Sequence, residues 1–337
     1  MALLRWLEKA TMTAAGDLGN TGVPNDGRGG LLSPQQARDF LRVLIDESVL
    51  LKEANNQTSV SPMFEVPRIS FGSRILRPGV EATRLAEGNR VKPTTGLVTL
   101  STHLFKGEIP LSDELFEDNI ERDALADTIM VMIAEAVGRD IEEYVIKSDT
   151  DRTAADGEDF NVLTEFDGLV KQMQTGLPAS HKVDATGFTS YDQLWRNMIA
   201  KLPARYRRDP TALRFYVPVK HTDGYQSELA GRGTPLGDTN VIENLRTKLG
   251  FRGVPVVNIP LMTGISTIAG DEINYDDFAI LTHPMNLYVG WHRRIRVERW
   301  RDPRDAATSF LPTLRVDAKY ADPAFGILAT NIGLGSN

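Results

Sequence analysis

The alternation of apolar and polar positions divides the chain into stretches of different texture. Leu3, Leu4, Trp6, Leu7 and Ala10 outline a short amphipathic turn pair, and residues 11–30 are glycine-rich with little to bury, the texture of an extended arm. A helix is predicted over 32–54. Ser33 can cap it, Pro34 suits its first position, and Phe40, Leu41, Leu44 and Ile45 share a face. Residues 58–106 then turn rich in Val, Ile, Thr and Phe, punctuated by Pro62, Pro67, Pro78, Gly79, Gly88, Pro93 and Gly96. That pattern predicts a long two-stranded excursion with its turn near 79–96.

The strongest helical period runs from about 119 to 147. Asp118 with Glu121 makes a capping box, and Leu125, Ile129, Met132, Ile133, Ala136, Val137, Ile141, Tyr144 and Val145 repeat at helical spacing. Such a helix is about 40 Å long and is expected to be a central packing element. A polar break follows at 148–160. Beyond it, Ser190 with Gln193 caps a helix at 191–202 whose face carries Leu194, Trp195, Met198, Ile199 and Leu202. A buried strand at 213–219, helices at 220–230 and 240–249 and a strand at 253–260 complete a compact α/β unit. Strands return at 278–281, 287–289, 294–300, 314–319 and 327–330. The simplest layout is a sheet interrupted in sequence by an α/β insertion, so 100–120 and 280–330 should pair in space.

Composition narrows the class. The chain has 337 residues, 41% hydrophobic and 25% charged, which excludes a wholly disordered or fibrous protein. A net charge of −7 opposes tight nucleic-acid binding by the whole surface while leaving room for a local basic patch. The absence of cysteine removes disulfides, thiolate metal sites and cysteine nucleophiles. No apolar run is long enough to span a bilayer, and MALLRWLEKA is broken by Arg5, Glu8 and Lys9, so no membrane association is expected.

A search for reaction centres finds little. His103, His181, His221, His283 and His292 are scattered, with no two at metal-ligand spacing on one helix, and read as packing or surface residues. GRGTPLG at 231–237 has glycines at the wrong spacing for a phosphate loop and reads as a mobile loop, and there is no G-x-S-x-G elbow. Asp276–Asp277 and Glu142–Glu143 are sequence neighbours that do not converge on one site. No catalytic residue, cofactor or metal is assigned. One segment is distinctive. WHRRIRVERWRDPR at 291–304 holds Arg293, Arg294, Arg296, Arg299, Arg301 and Arg304 against Glu298 and Asp302. With a two-residue period, Ile295 and Val297 face one side and Arg294, Arg296 and Glu298 the other. Three readings stay open: a charged edge strand protected against aggregation, a surface that meets carboxylates of a neighbouring subunit, or a nucleic-acid contact.

The order of features resembles the major capsid protein of tailed bacteriophages, with the Hong Kong 97-type fold also found in encapsulin compartments. The carriers are EIPLSDELFEDNIERDALADTIMVMIAEAVGRDIEEYVIKSD (108–149), similar to that family's spine helix and its approach, and VDAKYADPAFGILA (316–329), similar to its close. The resemblance implies an α+β fold: an N-terminal arm (1–57), an extended two-stranded loop (58–103), a peripheral domain with the spine helix (104–159), an axial α/β domain (160–280) and peripheral return strands (281–337). It implies a non-enzymatic shell subunit that self-assembles into pentamers and hexamers around double-stranded DNA, without sequence-specific contact. Further implied partners are a separate scaffolding protein, a portal and, where present, a decoration protein, with assembly in the host cytoplasm and residence in the virion. The chain reaches its arm within a few dozen residues, so either scaffolding is separate or the sequence begins at a mature start. Lys92 is the sole lysine between Lys52 and Lys106 and the one loop candidate for the family's isopeptide crosslink, although no matching asparagine is identified. Glu81 and Glu87 on the loop are expected to register against Arg293–Arg304 of a neighbour. An encapsulin-like compartment and an α/β enzyme are the rival readings.

Overall fold

A computed structural model describes residues 48–70, 86–112, 125–151, 163–231, 249–262, 277–292, 296–302 and 306–334, with positions 75, 76, 78, 81, 83, 84 and 304. The expected turn pair, glycine-rich arm and most of the 32–54 helix lie outside these residues, as do residues 240–248 of the expected 240–249 helix and all of 231–237 but Gly231.

The first sheet is organised on β13 (Ala307–Tyr320). Phe310, Leu314, Val316 and Ala318 are buried on one side of it, the mark of a strand with one face on a core. One edge of β13 holds β11 (Leu287–His292) and then β12 (Arg296–Asp302), and the other holds β4 (His103–Lys106) and β5 (Ile109–Ser112), all antiparallel. The predicted long-range pairing is present: His103 faces Val316 and Ile109 faces Phe310. Beyond β11, β1 (Asn55–Ser59) adds a parallel strand. On the apolar face lies α2 (Leu125–Lys147), whose Ile133, Ala134, Ile141 and Val145 share one core with Val289, Trp291, Phe310, Leu314 and Val316. Its described length is about 35 Å at the α-helical rise; Asp118 and Glu121 lie outside the described residues. The helix also caps another. Oε1 of the buried Glu142 accepts the Leu50 N–H at 2.5 Å, at the N-terminus of α1 (Val49–Glu53), where Ser48 supplies no side-chain cap.

The second sheet has the order β6 (Lys182–Asp184), β14 (Gly326–Thr330), β10 (Ala279–Thr282), β7 (Arg214–Val217), β9 (Val254–Asn258), β8 (Gly250–Phe251). Strands β6 and β14 run parallel, as do β7 and β9, and the remaining pairs are antiparallel. The segments at 278–281 and 327–330, expected to return to the first sheet, are central strands of this one. The physical reason is visible in their burial: all of Ala279–Thr282 and Gly326–Ala329 is buried, so neither strand has a solvent face to spare. Tyr216, Ile280 and Leu328 point into the core shared with α2 and α3 (Leu169–Gly176). Phe215, Val217, Ala279, Leu281, Ile327 and Ala329 point into a second core with α4 (Tyr191–Lys201) and α5 (Val219–Ala230). Helix α4 starts as expected, with Ser190 Oγ accepting the Gln193 N–H. The Gln193 side chain reaches past the capping-box position and accepts from the Thr189 N–H.

A third unit is a two-stranded ribbon of β2 (Met63–Ser70) and β3 (Thr94–Ser101), paired antiparallel from Met63–Ser101 to Ser70–Thr94.

Candidate assembly surfaces

The ribbon is held to the first sheet at its root. Leu100 is fully buried and, with Phe64, sits directly on Gly290 of β11; a Cβ there would lie 2.9 Å from Phe64 Cζ and 3.3 Å from Leu100 Cβ. Only glycine lets the two layers approach this closely. Beside it, the Ser101 N–H donates to Oδ2 of Asp317 at 2.7 Å, and burial pushes the Asp317 carboxyl above its usual range. Farther out, Arg68 Nη1 donates to the Ala321 carbonyl at 2.5 Å and lies 3.4 Å from Asp322 Oδ1. Gly96, the residue opposite Arg68, leaves its guanidinium room to cross the ribbon.

The two ribbon faces differ sharply. Phe64, Val66 and Arg68 pair with Leu100, Val98 and Gly96 on the half-buried face toward the body. On the opposite face Met63 is 59% exposed, Ile69 68% and Leu97 62%. Leu97 stands opposite Pro67, with Ile69 next along that face and Met63 beyond the exposed Glu65. Exposed apolar side chains on a strand pair that the described residues cover from one side only mark a candidate interaction surface. The signal in the sequence is the alternation in MFEVPRIS and TTGLVTLS, which places apolar residues on both faces of each strand.

The expected registering residues are distributed as follows. Glu81, Glu87 and Lys92 are exposed on the connection beyond the ribbon strands, with Glu87 opening a short 3-10 turn. That connection carries Arg74, Arg77, Arg84, Arg90 and Lys92 against the two glutamates, so by sequence it is a net cation. Arg293 and Arg294 lie outside the described residues, and Arg296 opens β12 opposite Thr313. Val297 is buried and Glu298 exposed, as the two-residue period predicts. The arginines, however, do not form one face. Arg299 pairs with Phe310, with its guanidinium 5.9 Å from that ring, and Arg301 pairs with Thr308, so both stand on the same side as Val297. Trp300, 56% exposed, stands with Glu298 on the other. Arg304 is exposed beyond the strand. The β12 segment is thus a mixed edge, with Arg299 and Arg301 beside Val297 on one side and Trp300 beside Glu298 on the other.

Four of the five histidines make contacts within the fold. His181 Nδ1 meets the Pro323 carbonyl at 3.0 Å, His103 stacks on Phe166, and buried His221 lies 3.2 Å from the Tyr191 hydroxyl. His283 Nδ1 accepts the Met285 N–H, and burial lowers the pKa of the ring. Among the described residues no group of three or more potential ligands could hold a metal ion.

No family model matches the chain. It is 32% identical over 294 residues to the Bacillus subtilis (strain 168) protein named "Putative prophage capsid protein YqbE", across 87% of this chain and 90% of that one. The chain belongs to the phage capsid proteins. Solved structures agree on the fold, which is of the Hong Kong 97 type. A chain of the satellite phage P4 procapsid, solved with its size determination (Sid) protein, superposes with a TM-score of 0.66 at 13% identity, over 97% of this chain and 98% of that one. The capsid of an empty GTA particle gives 0.56 at 16% identity, over 94% and 97%. The role of this capsid protein is structural, which excludes the α/β-enzyme reading.

Proposed function

We propose that this capsid protein assembles with copies of itself into pentamers and hexamers of an icosahedral head that encloses double-stranded DNA. The observation that carries the reading is the ribbon. Its inner face is fixed to its own chain through Gly290, Asp317 and Arg68, while its outer face leaves Met63, Ile69 and Leu97 in solvent. At about 25 cal/mol per Å² of apolar surface removed from water, covering that face by a neighbour is a substantial driving force that one chain alone does not realise. A separate scaffolding protein and a portal are the expected partners during assembly in the host cytoplasm, and the shell of the virion is the destination. The exposed carboxylates Glu81 and Glu87 and the cations Lys92, Arg299, Arg301 and Arg304 supply the charged fringe of such contacts.

Negative-stain electron microscopy of the purified chain, expressed with and without its neighbouring phage genes, tests the proposal. Closed shells, or rings of five and six, are expected. A single small oligomer under both conditions overturns it, and shells that copurify with enclosed enzymes in place of DNA convert it to the compartment reading.

A further inference from the structure

Around residues 204–208 and 252, the end of the second sheet carries arginines that no ion pair among the described residues engages. Residues Ala204–Arg207 form a 3-10 turn, and Arg205, Arg207 and Arg208 are all exposed. The turn is held rigidly by its one inward residue: the Tyr206 hydroxyl donates to Asp322 Oδ2 at 3.0 Å, and its ring packs 4.0 Å from Phe325. Arg205 is laid over that ring, 4.5 Å from its centre. Next along the chain, Asp209 is the nearest acid in sequence, and it is engaged elsewhere: Oδ1 accepts the Thr211 N–H at 3.0 Å and its hydroxyl at 2.6 Å. Among the described residues no carboxylate forms an ion pair with Arg205, Arg207 or Arg208.

A fourth arginine joins them from a distant part of the sequence. The β8–β9 hairpin turns through Arg252 and Gly253, with φ of 51° and 83°. This is the two-residue turn that favours Asn-Gly, because both residues take the left-handed region. An arginine holds the first position, against its conformational preference. Gly253 packs on Pro210, which brings the hairpin tip against the segment that follows the 3-10 turn. Three exposed arginines of the turn, and Arg252 beside Pro210, therefore line the same end of the second sheet in a protein whose net charge is −7.

We propose that this corner binds the phosphodiester backbone of duplex nucleic acid without reading its sequence. The spacing fits: a 3-10 turn rises about 2 Å per residue, so Arg205 to Arg208 spans about 6 Å, within reach of successive phosphates that advance about 3.4 Å per strand. The surroundings favour phosphate over a protein partner. Protein interfaces anchor on large apolar and aromatic side chains; none of the exposed large hydrophobics of the described residues lies on the arginine-bearing segments 201–211 and 250–253, and Met285, beyond His283 and Phe325, borders them. The proposal relies on the shell reading only for the source of the duplex.

The test uses the unassembled full chain and a fluorescent duplex of mixed sequence, followed by anisotropy over a salt series. The combined variant Arg205→Ala, Arg207→Ala, Arg208→Ala is expected to weaken binding and to flatten the slope of log K against log salt by about 2.7, at about 0.9 for each phosphate no longer neutralised. The corresponding triple lysine variant is expected to retain most of the affinity, because backbone contact needs charge and not the arginine fork. If the triple alanine chain misfolds by circular dichroism, Arg207→Glu and Arg252→Glu singly give the same readout. No binding by the parent chain, or an unchanged slope in the variants, overturns the proposal. Unchanged binding with failed shell assembly would overturn it too, and would assign the corner to contact between subunits. Failure of the shell reading itself shows in microscopy of the parent chain, independently of anisotropy.

Discussion

The second sheet and the ribbon follow opposite rules. Each central strand of the sheet is buried on both faces, with Ile280 and Leu328 in one core and Leu281 and Ile327 in the other. The ribbon has two strands and one covered face, and two strands alone are at best marginally stable in water. The central strands of the sheet are covered within the chain, whereas the ribbon leaves one face exposed among the described residues. In the proposed shell, that division would separate what is packed before assembly from what assembly covers.

The comparison predicts that substitutions in the sheet act on folding and substitutions on the ribbon act on association. The largest folding effect is expected from Trp195→Ala. Trp195 is fully buried, with Phe215 4.8 Å and Tyr225 5.9 Å from its ring centre, and truncation should cost about 3–5 kcal/mol. Chemical denaturation of the unassembled chain checks this; a loss below about 1 kcal/mol would mean that the second core is not packed as described. Gly290→Val is next and probes the junction between the two regions. Its Cβ meets Phe64 and Leu100 inside normal contact distance, so overpacking should cost about 1–3 kcal/mol. Hydrogen exchange should rise in 63–70 and 94–101 and stay unchanged in the second sheet. A global rise would contradict a local junction.

What could be read in the sequence follows the same division. Helical periodicity locates α2 and α4, and alternation or apolar runs locate β2, β3, β7 and β9–β14, whereas α3 and the short strands β1, β6 and β8 leave too few residues for a period of 3.6 or 2 to stand out. Assignment of strands to sheets is less legible. An unbroken apolar run such as Phe278–Leu281 signals burial on both faces but does not name the partner, and β10 and β14 prove to be partners of β7 and β6. At the candidate surface, charge is the louder signal and the less informative one. The arginines of 293–304 are conspicuous in sequence, yet their parity splits Arg299 and Arg301 from Glu298 and Trp300. The quieter set of Met63, Ile69 and Leu97 marks an uncovered apolar surface. Gly290 carries no signal at all in sequence, because a close approach between layers depends on packing that no local pattern records.

Asp317 offers a smaller, pH-resolved test of the ribbon root. Burial raises its folded pKa above the ordinary aspartate value, outweighing the Ser101 and Ala318 N–H groups that favour the charged form. The stabilising contribution of the protonated form is therefore full below the unfolded pKa and is lost as pH rises through the raised folded value. Asp317→Asn keeps an acceptor for the Ser101 N–H and removes the titration. Relative to the variant, the parent chain should lose stability as pH rises from about 4 toward neutrality, read by thermal melts at matched salt. Parallel melting curves across that range would mean that the carboxyl titrates normally and is not buried at the root.

The smallest effect on the single chain should have the largest consequence for the shell. Leu97 lies opposite Pro67 on the ribbon's outer face and is 62% exposed, so Leu97→Asp removes no packing within the chain. Substitutions at such surface positions usually change stability by no more than about 0.5 kcal/mol. If the face is covered by a neighbouring copy, the same aspartate would be buried there without a partner, and an unpaired charge at an interface is strongly unfavourable. The expected outcome is a chain with unchanged melting temperature that sediments as the unassembled species under conditions in which the parent chain forms shells. Normal shells from Leu97→Asp would show that this stripe stays in water after assembly, and the ribbon would then contribute to the shell through its tip and its charges alone.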